Sequence, residues 1–390
     1  MRSRLITILA AAALALILPA GASAAKPPRD FYGVVPQGGL TANDYAMLGG
    51  ANVGTLRVEF DWAAVQNGSG KCQADGGACN WGSTDALVAN AAAHGIRIFP
   101  TLYGVPRFVS KHHNDAPTKG KDLKRWRSFV AAAARRYGPN GVFWQGGGPP
   151  PEPPPPEPPP PEPPPPEPDP GGGGGYVGEN GGLGHRAAGG VFPITDWQIW
   201  NEQNSKQFWR GKSQPKAYGK LLKASATEIR AQDSNATIVV GGMYGFAKQT
   251  LESFMKELYR VKKIERSFDA IAIHPYSPTV LGLKKQISIA RRTAKKSGDR
   301  GVKIQMTEMG WSSGGGKHPL DKGKKGQAKL LKKSFKLLTK KRGAWNIDAL
   351  IWFAYNDTNL KTCAFCRNSG LVNTNSQPKP AWREFVRFTQ

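Results

Sequence analysis

The sequence predicts a single (β/α)8 barrel, and three observations support this fold class. Eight short apolar segments of strand length occur along the chain, and segments with helical periodicity separate most of them. Regular alternation of strands and helices indicates a parallel sheet, and eight such units indicate closure into a barrel. The length of 390 residues is sufficient for one large barrel. We therefore expect one domain over residues 25–390.

The predicted strands are short and are bounded by glycine, proline or polar residues. In chain order they cover residues 31–35, 55–60, 96–102, 197–200, 237–240, 270–273, 303–306 and 349–353. The predicted helices cover residues 84–94, 123–137, 215–232, 250–259, 283–297, 327–340 and 382–388. Residues 123–137 show the clearest pattern, because apolar side chains recur at helical spacing until Gly138 and Pro139 end the helix.

The first residues have the pattern of a secretory signal peptide. Arg2 and Arg4 precede an apolar run over residues 5–18, and the small residues 22–24 complete a cleavage signal. We assign residues 1–24 to this leader and expect a secreted mature chain, extracellular or associated with the cell wall. No later segment has eighteen consecutive apolar residues, so we expect no membrane span in the mature chain.

Residues 146–190 form a low-complexity insertion before the fourth predicted strand. A proline tract with a glutamate at every fifth position is followed by a block of glycines. Proline favours an extended polyproline II segment and glycine favours flexible coil, so the segment cannot bury a core and we expect it to be disordered. Two interpretations stay open: a spacer or wall tether, and a neutral expansion of a tolerant loop.

The four cysteines predict two local disulfides, Cys72 with Cys79 and Cys363 with Cys366. In the oxidising environment expected for an exported protein, cysteines this close in sequence form bridges that brace loops. A four-cysteine zinc site would require both pairs to converge, and the pairs lack zinc-ribbon spacing. We therefore expect neither a metal nor a cofactor.

The formal net charge of +26 predicts attraction to polyanions such as acidic cell-wall polymers, uronic-acid polysaccharides or nucleic acid. Much of this charge lies in residues 317–342, where Leu331, Phe335 and Leu338 recur at helical spacing and lysines occupy the other faces. For this segment we favour a solvated helix face over a dedicated binding patch. No nucleic-acid-binding motif occurs, so we expect no specific nucleic-acid partner.

Polar and aromatic residues lie at or near the ends of several predicted strands. The carboxyl ends of barrel strands face one common bowl, so these side chains are predicted to converge there. The seven residues are Arg57, Asn201, Glu202, His274, Tyr276, Glu308 and Trp352. Any one of them has an ordinary structural explanation, but seven equivalent positions indicate a site. Because a buried arginine requires a partner, Arg57 either points to solvent or meets an acid inside the fold.

These residues resemble the motifs of clan A of the glycoside hydrolases, most closely the bacterial family 39-like and family 5-like enzymes. The motifs are Asn201-Glu202 after the fourth strand, His274-Pro275-Tyr276 after the sixth, Thr307-Glu308 after the seventh and Trp352 on the eighth. The resemblance covers nearly all of the mature chain apart from the insertion. Many family 5 enzymes have a histidine just after the third strand, whereas residues 99–103 of this chain contain none. Cellulase specificity is therefore unsupported.

The resemblance implies a retaining glycosidase that cleaves the β-glycosidic bonds of an oligosaccharide or polysaccharide. Glu202 would be the general acid/base and Glu308 the nucleophile, with the two carboxyl groups about 5 to 5.5 Å apart. Glu308 must be ionised in order to attack the sugar. Glu202 must begin protonated, which an apolar environment and the negative charge of Glu308 favour.

The resemblance also implies roles for the neighbouring polar residues. Arg57 and Tyr276 are expected to donate hydrogen bonds to Glu308 and to keep its pKa low. Asn201 is expected to bind the sugar 2-hydroxyl, and His274 to line the same subsite.

Aromatic side chains are expected to stack on the apolar faces of the sugar rings. Trp352 is expected to form the floor of the sugar site. Trp62, Trp209 and Trp311 are candidates for flanking platforms, and for these three residues core packing is an equally open interpretation.

Three other classes of function stay open. The first is a catalytically inactive barrel that binds cell-wall glycan, against which the intact pair of carboxylates argues. The second is a nucleic-acid-binding protein, which the missing motifs disfavour. The third is a metallohydrolase that uses His112 and His113, which lie further along the loop after the third strand.

Overall fold

The computed structural model describes residues 26–145, 191–210, 215–245, 249–360 and 363–390. The expected leader (residues 1–24) and the expected insertion (residues 146–190) lie outside the described residues. Within the described ranges, no helix combines the length and the apolar character that crossing a membrane requires.

Eight parallel strands form a closed barrel, which confirms the predicted fold class. They are β1 (Tyr32–Val35), β2 (Thr55–Asp61), β3 (Arg97–Tyr103), β4 (Asp196–Asn201), β5 (Thr237–Tyr244), β6 (Ala270–His274), β7 (Lys303–Met309) and β8 (Ile347–Phe353). Each strand pairs with its neighbours in the chain, and β1 pairs with β8 to close the sheet, with Tyr32 opposite Leu350.

In the described part of the chain, a helix follows every barrel strand. The helices are α1 (Ala42–Gly50), α2 (Gly82–Ala93), α3 (Gly120–Tyr137), α4 (Pro215–Gln232), α5 (Leu251–Tyr259), α6 (Val280–Lys296), α7 (Gly323–Trp345) and α8 (Pro380–Thr389). Shorter helical turns occur at Trp62–Val65 and Val142–Gln145, and a small hairpin joins Cys72–Gln73 to Gly76–Gly77.

Helix α1 is the one barrel helix of the described chain that the sequence did not predict. It has nine residues, and two of them are the glycines at its end, so its helical signal is weak. A capping box starts the helix: the Thr41 side chain accepts from the Asp44 backbone N–H, and the Thr41 backbone N–H donates to the Asp44 carboxylate at 2.9 Å. Local capping and packing therefore replace sequence periodicity here.

The barrel interior contains a small apolar cluster beneath a polar layer. Its buried members are Phe99, Val239, Ala270, Ala272 and Ile351. Successive residues of a strand point to opposite faces, and Arg57 of β2 lies beside Phe99 of β3 in register. The polar residues of the barrel interior therefore lie directly next to this apolar cluster, on the side toward the carboxyl ends of the strands.

Both predicted disulfides are present. Cys72 pairs with Cys79 in the loop after β2, and Cys363 pairs with Cys366 in the loop after β8. The Ser128 hydroxyl of α3 donates to the carbonyl of Cys72 at 3.1 Å, so the first bridged loop is fastened to the barrel wall. The cysteines therefore brace loops and do not converge on a zinc site.

Candidate active site

The carboxyl ends of the strands open into a cleft of about 540 Å³. Six polar residues of its wall are Arg57, Glu59, Asn201, Glu202, Tyr276 and Glu308. Four aromatic residues of its wall are Phe208, Tyr244, Phe353 and Phe365. The cleft lies where barrels of this fold hold their ligands, and its volume is within the usual range for pockets that bind small molecules.

Glu308, near the end of β7, has both carboxylate oxygens held by donors. Arg57 donates from Nη1 to Oε1 at 2.7 Å, and the Tyr276 hydroxyl donates to Oε2 at 2.9 Å. Burial by itself raises the pKa of Glu308, but the charges of His274 and Arg57, with the hydrogen bonds from Tyr276 and Arg57, outweigh burial and lower that pKa. The Glu308 carboxylate is therefore ionised and oriented.

Arg57 donates hydrogen bonds to three polar side chains of the barrel interior and is only 3% exposed. Besides Glu308 it contacts Asn201, donating from Nη2 to Oδ1 at 3.0 Å, and Gln198, donating from Nε to Oε1 at 3.3 Å. A guanidinium can only donate, so this contact turns the amide oxygen of Asn201 toward Arg57 and leaves the amide nitrogen to donate elsewhere. The sequence left open whether Arg57 points to solvent or meets an acid inside the fold, and in the structure it meets Glu308 inside the fold.

Glu202 follows β4 directly and is 8% exposed. His274, which is fully buried, places Nδ1 2.9 Å from Glu202 Oε1 and Nε2 3.1 Å from the Thr307 hydroxyl. Burial raises the pKa of Glu202, and the negative charge of Glu308 raises it further. The hydrogen bond and charge of His274 lower this pKa, but the net effect is a raised pKa. Glu202 therefore keeps its proton to a higher pH than an ordinary glutamate.

Glu202 and Glu308 are adjacent in the cleft although 106 positions (308 − 202) separate them in the chain. One carboxylate oxygen of each, together with a ring nitrogen of His274, lies within 4.8 Å of the others. This spacing is close to the separation of about 5 to 5.5 Å found in retaining glycosidases and below the separation of about 6.5 Å or more found in inverting ones.

The same three side chains are of types that can bind a metal ion, but their surroundings oppose one. Arg57 already donates to Glu308 at 2.7 Å and places a fixed positive charge beside the group. His113 lies elsewhere, with Nε2 2.8 Å from Asp61 Oδ1 and its side chain about half exposed. Within the described residues, His112 and His113 do not join a cluster of three close metal-ligand side chains.

The backbone before and at Glu202 adopts an uncommon conformation. Trp200 has φ of 69° and Glu202 has φ of 39°, in the left-handed region that costs a residue with a side chain about 1 to 3 kcal/mol. Two contacts to β5 hold the segment in place: the Glu202 backbone N–H donates to the Gly242 carbonyl at 3.0 Å, and Gln203 Nε2 donates to the Gly241 carbonyl at 2.9 Å. This backbone turns the Glu202 carboxyl into the cleft.

Gly242 of β5 makes room for His274. A Cβ atom on Gly242 would lie 2.0 Å from His274 Nε2, far inside van der Waals contact. The glycine is therefore required for the imidazole to stand between Glu202 and Thr307.

The predicted tryptophan platforms differ from what the structure contains. Trp352 is fully buried and donates from Nε1 to the Ser369 carbonyl at 3.2 Å, while Trp311 is 1% exposed and donates to the Ser277 carbonyl at 2.7 Å. Neither ring borders the cleft, and the aromatic residue of β8 that does is Phe353. Neighbouring residues of a strand face opposite sides, so Trp352 and Phe353 cannot both face the cleft. This corrects the expected roles of Trp352 and Trp311.

The remaining tryptophan candidates also belong to the core. Trp62 is fully buried and Trp209 is 5% exposed, and neither belongs to the cleft wall. In the structure, both residues therefore pack in the core and do not form platforms beside the cleft.

Several residues of the cleft wall were not found from the sequence. Glu59 had a usable signal, since it lies two positions after Arg57 on the same strand and therefore shares its face. Tyr244 is the last residue of β5, so its position at the carboxyl end of a strand also predicts a place in the cleft. The sequence prediction missed it because it ended this strand at residue 240. Phe208 and Phe365 lie in loops, where the sequence has no periodicity that predicts direction.

No protein-family model and no curated protein sequence matches the chain. Solved structures do match it. A monomeric β-xylosidase from Caulobacter crescentus CB15 is 16% identical with a TM-score of 0.60, over 93% of this chain and 68% of that chain. A family 39 glycoside hydrolase from Bacteroides cellulosilyticus WH2 is 14% identical with a TM-score of 0.59, over 93% of this chain and 64% of that chain.

A third match is the intracellular xylanase TsXylA from Thermoanaerobacterium saccharolyticum JW/SL-YS485. It is 16% identical with a TM-score of 0.54, over 91% of this chain and 94% of that chain. The chain spans about two thirds of the length of the first two structures and nearly all of the third. At these low identities the comparison concerns architecture, and the chain has the (β/α)8 barrel fold of these solved glycosidases.

Proposed function

We propose that the protein is a secreted retaining glycoside hydrolase that cleaves β-glycosidic bonds of an oligosaccharide or polysaccharide. One observation carries the proposal: the buried Glu202 and the partly buried Glu308 have carboxylate oxygens within 4.8 Å of each other, with the pKa of Glu202 raised and that of Glu308 lowered. Two carboxyls at this spacing, with their pKa values moved apart, are the requirement for retaining hydrolysis. The fold shared with solved β-xylosidases and xylanases agrees with it.

In the first step, a Glu308 oxygen attacks the anomeric carbon and forms an ester bond to the sugar. Glu202 donates its proton to the glycosidic oxygen as the bond from that oxygen to the anomeric carbon breaks. Arg57 and Tyr276 position the attacking carboxylate through the hydrogen bonds at 2.7 and 2.9 Å. The leaving alcohol departs neutral.

In the second step, the ester no longer carries the negative charge of Glu308, so the pKa of Glu202 falls and its carboxylate acts as a base. It accepts a proton from a water molecule whose oxygen attacks the anomeric carbon. The ester bond breaks, Glu308 regains its carboxylate, and the sugar leaves with its original anomeric configuration.

Asn201 and the aromatic wall complete the sugar site in this proposal. The amide nitrogen of Asn201, left to donate by the contact with Arg57, serves the sugar 2-hydroxyl. His274 orients the Glu202 carboxyl from beneath. Phe353 and Tyr244 provide the apolar surfaces that the sequence assigned to tryptophan.

The direct test is hydrolysis of aryl β-glycosides by the wild type and by Glu308→Gln and Glu202→Ala. We expect the first change to abolish turnover and the second to slow it by about 100- to 10,000-fold, because general acid–base catalysis contributes that much. Azide, which is small enough to enter the space left by Glu202, should restore the rate of Glu202→Ala and give a β-glycosyl azide. The exposed Glu257→Gln is the matched control and should keep full activity.

Two rival functions make opposite predictions in the same assays. An inactive glycan-binding barrel would bind oligosaccharides but hydrolyse none across a broad panel. A metallohydrolase using His112 and His113 would lose activity in EDTA and regain it with zinc, whereas we expect no effect of EDTA. An inverted first-formed anomer in proton NMR would contradict the double-displacement mechanism.

We also propose that an acidic polysaccharide binds along α6 and α7. These two helices pack against each other, and neither contains an aspartate or glutamate. Their exposed basic residues are Lys284, Lys285, Arg292, Lys295 and Lys296 on α6, and Lys324, Lys325, Lys329, Lys332, Lys333, Lys336, Lys340 and Lys341 on α7. The sequence favoured a solvated face for residues 317–342, but the packing of α7 against a second helix free of acids makes one larger basic surface, so this proposal revises that interpretation in favour of binding.

Retention on immobilised polygalacturonate tests this surface. The variant Lys329→Gln/Lys333→Gln/Lys336→Gln should elute at clearly lower salt than the wild type, because exposed charges act through a screened field. A control with the same change of charge removes three exposed lysines on α3 and α4, namely Lys121, Lys216 and Lys220. Equal elution of the two variants would refute a dedicated surface and leave only the effect of net charge.

Export of the protein is part of the proposal, and the two disulfides support it because such bridges persist in oxidising compartments. N-terminal sequencing of protein recovered outside the cell should begin at Ala25. Recovery of the full-length, reduced chain from the cytoplasm alone would contradict it.

A further inference from the structure

Glu59 is a carboxylate in the cleft wall for which the proposed mechanism has no use. It lies on β2 between Arg57 and Asp61, and residues two apart on a strand share a face. Its two neighbours on that face are satisfied: Arg57 donates to Glu308 at 2.7 Å, and Asp61 Oδ1 accepts from the Ala63 backbone N–H at 2.9 Å. The His113 ring also lies 2.8 Å from Asp61.

Glu59 itself is exposed to the cleft and has no hydrogen bond or ion pair to any residue of the described chain. Arg57 cannot serve it, because all three of the contacts of that guanidinium go to Glu308, Asn201 and Gln198. Thr101 lies beside Glu59 in the register between β2 and β3, and its buried hydroxyl has no hydrogen-bond partner among the described residues. Glu59 of the cleft wall and the buried Thr101 next to it are therefore two neighbouring polar groups that have no hydrogen-bond partner among the described residues.

The charges around Glu59 decide what it can bind. Enclosure by the cleft raises the pKa of Glu59, Arg57 and His113 oppose this rise, and the like charges of Glu308 and Asp61 add to it. A ligand with hydrogen-bond donors would pair with the free oxygens of Glu59 and would reduce the repulsion among the carboxylates. A ligand that brings another carboxylate to this point increases that repulsion.

We propose that Glu59 is a specificity-determining residue: its carboxylate accepts hydrogen bonds from hydroxyls of a neutral sugar beside Glu308 and rejects a sugar that carries a carboxylate there. The inference rests on the proposed hydrolase function and names its substrate class, a neutral pentose or hexose. An ionised carboxylate accepts hydrogen bonds on both oxygens, and a site built to bind hydroxyls discriminates strongly against analogues that leave it unpaired.

This assignment separates the two charged regions of the protein. The basic face of α6 and α7 attracts an acidic polymer, whereas the cleft, through Glu59, cleaves at a neutral sugar residue. The bond that is cut would then lie in a neutral stretch of a mixed glycan, or in a neutral glycan close to the acidic one.

The test compares kcat/KM on p-nitrophenyl β-glucoside and β-xyloside with kcat/KM on p-nitrophenyl β-glucuronide, which differs from the glucoside by a carboxylate at C6. The wild type should prefer the neutral sugars. Glu59→Gln, which keeps the size but not the charge, should shift the ratio toward the glucuronide by at least about 10-fold and slow the preferred neutral substrate by about 10- to 100-fold, the usual effect of losing a hydrogen bond to a charged group. The control Glu257→Gln should leave the ratio unchanged.

Glu59→Asp provides the second variant, because it keeps the charge on a shorter side chain. It should continue to reject the glucuronide, and thermal unfolding of both variants separates loss of fold from loss of specificity. An unchanged ratio in Glu59→Gln, or a wild-type preference for the glucuronide, would overturn the inference. So would a preference for a β-glucosaminide that Glu59→Gln removes, since Glu59 would then bind an ammonium group.

Failure of this inference and failure of the proposed function give different results. If the wild type hydrolyses none of these glycosides, the hydrolase proposal falls and the role of Glu59 falls with it. If the wild type hydrolyses them and the ratio does not respond to Glu59→Gln, only the role of Glu59 is refuted.

Discussion

Replacing Arg57 by alanine is the change that probes the site most deeply. Arg57 is 3% exposed and donates to Glu308, Asn201 and Gln198 at 2.7, 3.0 and 3.3 Å. Removing one partner of a buried ion pair costs about 3 to 5 kcal/mol, because the other charge stays buried without compensation. At roughly 2 to 4 °C per kcal/mol, the melting temperature should fall by about 6 to 20 °C.

The same change should alter the pH profile in a defined direction. Arg57 lowers the pKa of Glu308 both through its charge and through its hydrogen bond, so its loss raises that pKa. Glu308 must be ionised to attack, and the acidic limb of kcat/KM should therefore move to higher pH in Arg57→Ala. At the optimum, kcat/KM should fall by about 100- to 1,000-fold, as expected for the loss of one oriented donor in an active site.

The assay is kcat/KM on an aryl β-glycoside from pH 4 to pH 9, with thermal unfolding measured in the same buffers. Arg97→Ala is the control, because Arg97 forms a partly buried ion pair with Asp196 at the opposite end of the strands, at 2.7 Å. The control should lose stability and keep the acidic limb in place. An acidic limb that stays unchanged in Arg57→Ala, or one that moves equally in both variants, would refute the role assigned to Arg57.

Three further changes have defined outcomes. Glu202→Gln should melt higher than the wild type at pH 8 and equally near pH 4, because the raised pKa of Glu202 makes its ionisation destabilising as pH rises through that pKa; melting curves at both pH values check this. Gly242→Ala should displace His274, destabilise by about 1 to 3 kcal/mol and abolish turnover, as unfolding and kinetics together would show. Phe353→Ala should raise KM with little loss of stability, whereas Trp352→Ala should cost about 3 to 5 kcal/mol with KM unchanged in whatever stays folded.

The fold was predictable because its signal is repeated along the chain. Each strand is a short apolar run, the helices other than α1 and α2 have a usable periodicity, and the chirality and closure of such units follow general rules. The strand boundaries were predicted less well: β5 continues to Tyr244 and β7 to Met309, beyond the residues assigned from the sequence. These extensions include Tyr244 and Glu308, which lie in the cleft wall. Their polar side chains weaken the strand signal in the sequence.

The site was predictable in part. Two glutamates, each following an apolar strand, were sufficient to propose a pair of carboxylates, since all strand ends of a barrel meet at one face. The direction of Trp352 was not predictable, because a shift of one residue along a strand exchanges the two faces and only pairing with β1 fixes which side chain points inward.

By itself, the sequence determined the barrel, the pairing of Cys72 with Cys79 and of Cys363 with Cys366, and which acids stand at strand ends. Those features depend on composition and on spacing within a short stretch of chain. Only the tertiary structure decided that Arg57 serves Glu308, that Phe353 replaces Trp352 in the cleft wall, and that Glu59 has no partner among the residues that the structure describes. Each of these depends on which side chains from distant strands come within hydrogen-bonding distance, and the register of the closed sheet sets those distances.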